Sequence, residues 1–229
     1  MATEYDYLKM QLDFYDNEAK LWSLDNKNPV VGGYDTHNSF TDYDQYLFKD
    51  FDTTNKIALE YGCGPGRNII RYNSRFKRID GVDISSINIE KCKLNIAANN
   101  IPIPNLYVNS GDNIPVPDSS YDVIFSVICL QHICVHNIRY KIMSEIYRCL
   151  SDGGYFCFQM GFGGRPNSVN YYDNKYDATT TNSGCDVSIE NEQFIIDDLL
   201  KIGFINYKSD LRIPCIDRHN NWIWIQVQK

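Results

Sequence analysis

The chain has 229 residues, 43% hydrophobic and 22% charged, values that suit one globular α/β domain long enough to bury a real core. Its formal net charge of −7 disfavours a nucleic-acid duplex as the main partner, because phosphate binding needs clustered Lys and Arg. The opening Met1-Ala2-Thr3-Glu4-Tyr5-Asp6 is polar and acidic, unlike a secretory leader, and no apolar run approaches the ~20 residues of a membrane span.

Residues 1–50 read as a helical N-terminal cap. Residues 7–24 have helical spacing, with Leu8, Leu12, Tyr15, Ala19 and Trp22 on one face, and a second short helix is expected over 42–49. An alternating core follows over 55–160. Strands are predicted at 56–63, 78–84, 105–110, 121–130 and 155–160. Helices are predicted at 66–76, at 85–99 with Ser85 or Ser86 as N-cap, and along Ile138, Ile142, Ile146 and Leu150 up to Asp152-Gly153-Gly154. Near-continuous apolar strands separated by helices imply a parallel sheet covered on both faces. Residues 161–188 are rich in Gly, Asn, Tyr and Thr and too long for an ordinary connection, so they read as a substrate-side loop. Residues 189–229 hold a helix and two edge strands, 204–213 and 222–228.

Eight cysteines are present, but Cys92, Cys129, Cys149, Cys157 and Cys215 fall inside predicted elements, where cysteines are usually buried thiols. No CxxC pair and no zinc-like Cys/His spacing occurs, so no metal is expected, and the thiols point to a reducing, cytoplasmic setting.

The chemistry gathers at the strand ends. Ile57-Ala58-Leu59-Glu60-Tyr61 leads into Gly62-Cys63-Gly64-Pro65-Gly66, a glycine turn between a strand and a helix. Twenty-one residues beyond Gly62 comes Asp83, where a carboxylate can accept ribose hydroxyls. A dinucleotide fingerprint wants G-x-G-x-x-G. Here the third glycine comes early, Pro65 removes a donor, and Glu60 would oppose a pyrophosphate but tolerate an ammonium or sulfonium. After the third strand, Ser110-Gly111-Asp112-Asn113 offers a carboxylate for an exocyclic amine.

With Leu59–Gly66, Val82–Ser85, Gly111–Pro115, Tyr121–Ile133 and Glu145–Gly154 in this order, the chain resembles the class I S-adenosylmethionine (SAM)-dependent methyltransferases over roughly 55–160. The resemblance implies a Rossmann-like, doubly wound, seven-stranded and mostly parallel sheet with an antiparallel C-terminal strand. It implies that Glu60, Gly62, Cys63, Gly64 and Gly66 surround the methionine part of SAM, that Asp83 takes the ribose, that Ile84 and Val127 flank the cofactor, and that Asp112 with Asn113 reads the adenine edge. The third and fourth strands are joined without room for a full helix, as in small-molecule members of the family.

On the acceptor side, Gln131 and His132 follow the fourth strand. His132 is a candidate general base for a hydroxyl acceptor, and a loop-orienting role is its alternative. Tyr15, Trp22 and Tyr34 of the cap, with Arg165 and Tyr171 of the 161–188 loop, are candidates to frame the acceptor. The reading is methyl transfer to an O or N atom of a small-molecule, glycan-like or lipid-like acceptor. An NAD(P)-dependent oxidoreductase and a non-catalytic SAM-binding protein of the same fold remain alternatives at this level.

Overall fold

The computed structural model describes residues 2–28, 30–31, 44–164, 168–178, 186–212 and 221–229. Tyr34, Arg165 and Cys215 lie outside them. Helix α1 spans Glu4–Lys20. Thr3 caps it reciprocally with Asp6, satisfying backbone donors that a helix start leaves free. The helix starts earlier than its apolar spacing suggests and stops at Leu21, so Trp22 is buried beyond its end. Helix α2 is a short turn, Asp44–Leu47.

The alternating core then runs β1 (Ile57–Tyr61), α3 (Arg67–Tyr72), β2 (Arg78–Asp83), α4 (Ser86–Ala98), β3 (Leu106–Val108), β4 (Tyr121–Ser126), α5 (His136–Cys149) and β5 (Leu150–Phe162). Ser85 caps α4 through its hydroxyl. Strands β6 (Val169–Asn170) and β7 (Val187–Ile189), helix α6 (Glu192–Ile202), and strands β8 (Ile205–Arg212) and β9 (Asn221–Gln228) complete the described chain.

Strands β3, β2, β1, β4 and β5 pair in parallel in that spatial order. Strand β9 pairs antiparallel with β5, and β8 pairs with β9. These seven strands form the sheet the resemblance implies. Two short strands extend it: β7 continues from Gly161 and Phe162, beyond the last β4 pairing at Phe158, and β6 pairs with β7. The 161–188 segment therefore carries structure of its own.

Side chains alternate across the sheet, as strand geometry requires. Leu59, Ile124, Phe156, Phe158 and Ile225 face one core with Ile138 and Ile142 of α5 and Ile195 and Leu199 of α6. Ala58, Val123, Phe125, Trp222 and Trp224 face the other, with Ile69 of α3 and Ile89, Cys92 and Ile96 of α4. The buried Asp80 of β2 ties neighbours together by accepting from Asn105 and from the Tyr121 hydroxyl.

Two boundaries differ from the apolar runs for backbone reasons. Strand β4 stops at Ser126 because Ile128 adopts a left-handed φ of 52°. Strand β5 begins at Leu150, five residues early, because its pairing skips from Tyr121–Leu150 to Val123–Tyr155 across Gly153, whose φ is 75°. The connection from β3 to β4 holds no helix.

Candidate active site

The turn after β1 has three glycines in the left-handed region, with φ of 74° at Gly62, 50° at Gly64 and 81° at Gly66. Its amides are used internally. Gly62 and Cys63 donate to the Val82 carbonyl at 2.9 and 3.1 Å, Gly66 donates to Cys63 at 2.9 Å, and Gly64 donates to Asp83 Oδ2 at 2.8 Å. Pro65 has no N–H. The turn thus has no amide among these five positions to spare for a pyrophosphate, which weighs against a dinucleotide.

Asp83 ends β2 and is buried. Its Oδ1 accepts from Ser85 N at 2.9 Å and Asn88 Nδ2 at 3.2 Å. Burial raises its carboxyl above the ordinary range, against the pull of the Ser85, Gly64 and Asn88 donors. Oδ2 takes one bond from the chain and keeps capacity for a ligand hydroxyl.

Glu60, on β1, is 1% exposed. Its Oε1 accepts from Asn68 Nδ2 at 2.6 Å, while Oε2 has no partner. Burial pushes this carboxyl up to about 8.

Glu60, Gly62, Cys63, Gly64, Asp83, Ile84, Val127 and Tyr15 all line one cavity of about 930 Å³, counting its open mouth. The cavity lies at the C-terminal ends of β1, β2 and β4, where ligands of open α/β sheets bind. Helix α1 roofs it with Tyr7, Leu8 and Gln11.

Other candidates lie elsewhere. Gly66 is the N-cap of α3, with its Cβ direction closed off by Cys92 Sγ at 2.6 Å. Asp112 and Asn113 are not on the cavity wall: both fold back onto Ser110, whose hydroxyl donates to them at 2.9 and 2.8 Å. Asn109 and Gly111 line the cavity at that level instead. Trp22 is 2% exposed and points into the core, not the cavity. Tyr171 is buried and donates to Asp198 at 2.8 Å, away from the wall. Gln131 accepts from Gln159 Nε2 at 2.7 Å, and Gln159 in turn holds the Ile128 amide, so Gln131 braces the turn after β4.

His132 sits in a single 3-10 turn, Leu130–His132. Its Nδ1 is 2.7 Å from Asp186 Oδ1, which selects the Nδ1–H tautomer of the neutral ring and leaves Nε2 as its acceptor nitrogen. Asp186 carries no local sequence signal, since it lies fifty-four residues away along the chain. His132 is not on the cavity wall, although its neighbours Cys129 and Ile133 are. Among the described residues no group of three or more His, Cys, Asp or Glu is placed to hold a metal.

A parallel sheet with an inserted antiparallel strand, glycine-turned and acidic at its C-terminal edge, defines a Rossmann-like methyltransferase architecture. Residues 59–158 match the family model described as a methyltransferase domain. Similar solved structures share the fold. One is the Haemonchus contortus phosphoethanolamine N-methyltransferase 2 in complex with phosphomonomethylethanolamine and S-adenosylhomocysteine (18% identity over 99% of this chain, TM-score 0.66). Another is the Streptomyces coelicolor geranyl diphosphate C-methyltransferase in complex with Mg2+, geranyl diphosphate and S-adenosylhomocysteine (13% identity, 99% of this chain and 98% of that one, TM-score 0.68). This chain spans only 60% of the length of the Haemonchus enzyme. The match over residues 59–158 and the shared fold place a methyltransferase-type domain at the centre of the chain.

SAM fits the residues present. Its ammonium matches the partnerless Glu60 Oε2, its ribose the spare capacity of Asp83, and its backbone-hugging shape the glycine turn, where a Cβ on Gly64 would meet nothing within 4 Å. A pH effect follows. In the free protein at pH 7 Glu60 holds its proton. An ammonium against Oε2 favours the ionised form, so cofactor binding is expected to release a proton and to strengthen as pH rises toward about 8. Calorimetry in buffers of different ionisation heat measures this, and Glu60→Gln is expected to erase it. Persistence of the proton release in Glu60→Gln would assign it to another group. The same raised value gives Glu60 a share of folding stability that is complete below its ordinary 4.5 and lost as pH rises through about 8.

Proposed function

We propose that the chain transfers a methyl group from SAM to an O or N atom of a small-molecule acceptor. The observation that carries this reading is the cavity itself. It joins a glycine turn, two buried carboxylates and an apolar roof, and it extends past the cofactor-facing residues to Val30, Val31, Ile133 and Ile138. A pocket of this kind suits a small acceptor, and the chain's acidity disfavours a nucleic acid. Both similar enzymes named above were crystallised with small phosphorylated ligands.

Bound SAM supplies an electrophilic methyl on a sulfonium, so the protein's own task is alignment and proton handling. The glycine turn and Asp83 hold the donor. Tyr7, Leu8 and Tyr15 of α1 exclude water from it. For a hydroxyl acceptor that reaches beyond the wall at Cys129 and Ile133, His132 Nε2 takes the proton while Asp186 keeps Nδ1 protonated. An amine acceptor needs no such base when it is already neutral.

The test is transfer of labelled methyl from SAM to a panel of hydroxylated and aminated small molecules. His132→Ala is expected to lower turnover of a hydroxyl acceptor about 100-fold with unchanged S-adenosylhomocysteine affinity. Equal turnover in the variant would leave His132 a loop-orienting residue. Binding of SAM with no transfer to any class would favour the non-catalytic alternative. A cytoplasmic location belongs to the same proposal, supported by the six described cysteines, all free thiols. No helix among the described residues is long and apolar enough to cross a membrane.

A further inference from the structure

Four side chains on the cavity wall keep a buried polar atom with no hydrogen-bond partner: Gln11 Nε2, Glu60 Oε2, Asn68 Oδ1 and Asn88 Oδ1. Buried polar groups are nearly always paired, so unpaired ones on residues that line a cavity mark where a ligand can complete the pairing. Asn68 and Asn88 offer acceptors from α3 and α4, and Glu60 Oε2 on β1 becomes one when its carboxyl ionises. Gln11 is different. It offers a donor, it comes from the roof, and its residue is 5% exposed.

Helix α1 is fixed over the cavity at several points. Lys141 pairs with Glu4, Cys134 N donates to the Tyr7 hydroxyl at 2.6 Å, and Ser85 donates to Asp16. Leu8 packs at the ends of β2 and β3, where a Cβ on Gly111 would stand 2.7 Å from Leu8 Cδ2 and 3.0 Å from Ile84 Cδ1. Gln11 lies between Leu8 and Asp16 along the helix, one turn from Leu8, on the side of the cavity bounded by Asp83, Ile84 and Gly111. Glu60 and Asn68 stand instead on β1 and α3, at either end of the glycine turn.

We propose that Gln11 is a cofactor-binding residue whose side-chain amide donates from α1 to an acceptor atom of the adenosine part of SAM, a ring nitrogen or a ribose oxygen. The inference rests on SAM being the bound cofactor. Neither local spacing nor polarity marks Gln11, because it interrupts the apolar face of α1 as any surface glutamine would. It gives α1 a recognition role in addition to the apolar cover supplied by Tyr7, Leu8 and Tyr15.

The test is calorimetry on the full chain with two probes, S-adenosylhomocysteine and 5′-methylthioadenosine, which lacks the amino-acid end. Gln11→Met keeps the shape and removes the donor, and Gln11→Glu replaces the donor with an acceptor. Gln11→Met is expected to weaken both probes roughly tenfold, and Gln11→Glu by more. Because Gln11→Met removes an unpaired buried donor, its melting temperature without ligand is expected to stay at or above the wild-type value, which separates ligand contact from a structural role. Affinities within about twofold of wild type for both variants would overturn the inference. So would a loss for S-adenosylhomocysteine alone, which would move the contact to the amino-acid end. Failure of the wild type to bind either probe would remove the cofactor reading itself, and the inference with it.

Discussion

Gly62→Ala is expected to destabilise the fold by roughly 2–5 kcal/mol, the sum of left-handed strain and overpacking. Gly62 has φ of 74°, and a Cβ there would lie 2.3 Å from Cys129 Sγ and 2.7 Å from Cys129 Cβ. Cys129 is anchored on the turn after β4, so it has little freedom to move aside. The urea midpoint measures the effect. Adding Cys129→Gly is expected to recover the overpacking share and leave the strain. Gly64→Ala is the instructive contrast. With φ of 50° and no atom within 4 Å of its Cβ, it carries the strain alone, and the new methyl occupies space that the cofactor needs. Gly62→Ala unfolding at the wild-type midpoint would show that the turn is not held against Cys129.

Asp83→Ala is expected to lower affinity for S-adenosylhomocysteine at least about 100-fold, the scale of losing a charged hydrogen-bond acceptor that also orders its surroundings. The carboxylate engages Gly64 N, Ser85 N and Asn88 Nδ2, so its removal strands three donors and frees the glycine turn from the end of β2. Asp83→Asn keeps the size yet places an amide donor against one of those donors, and is expected to be impaired too. Calorimetry distinguishes the outcomes. Unchanged affinity in Asp83→Ala would exclude this strand end as the ribose site.

What was legible in the sequence is what the backbone dictates locally. Gly62, Gly64 and Gly66 announce left-handed turns, Asp83 announces a strand end, and apolar runs announce β1, β2 and β4. What was not legible depends on contacts made far along the chain. No rule foretells a left-handed Ile128, which ends β4 early. Asp112 and Asn113 look like ligand readers by position, yet both accept from Ser110 and neither lines the cavity. Trp22 and Tyr171 carry the aromatic character of an acceptor site but are taken up by the core and by Asp198. Asp186 is paired with His132 by the way β7 returns to β5, and no spacing reveals it. Gln11 is visible only once α1 is seen to roof the sheet.

Strand β9 follows β8 in the chain but lies inside it, between β5 and β8. Sheet growth therefore cannot follow the order of synthesis. While a ribosome is extending the chain, one edge of β5 stays open until residues 221–228 emerge, and β8 waits beside it with no strand to join. During that interval Phe156 and Phe158 lack the cover of Ile223, Ile225 and Val227, and an unpaired edge next to exposed aromatics invites other chains to pair with it. The interval before residues 221–228 join β5 is thus where the chain is most open to pairing with others.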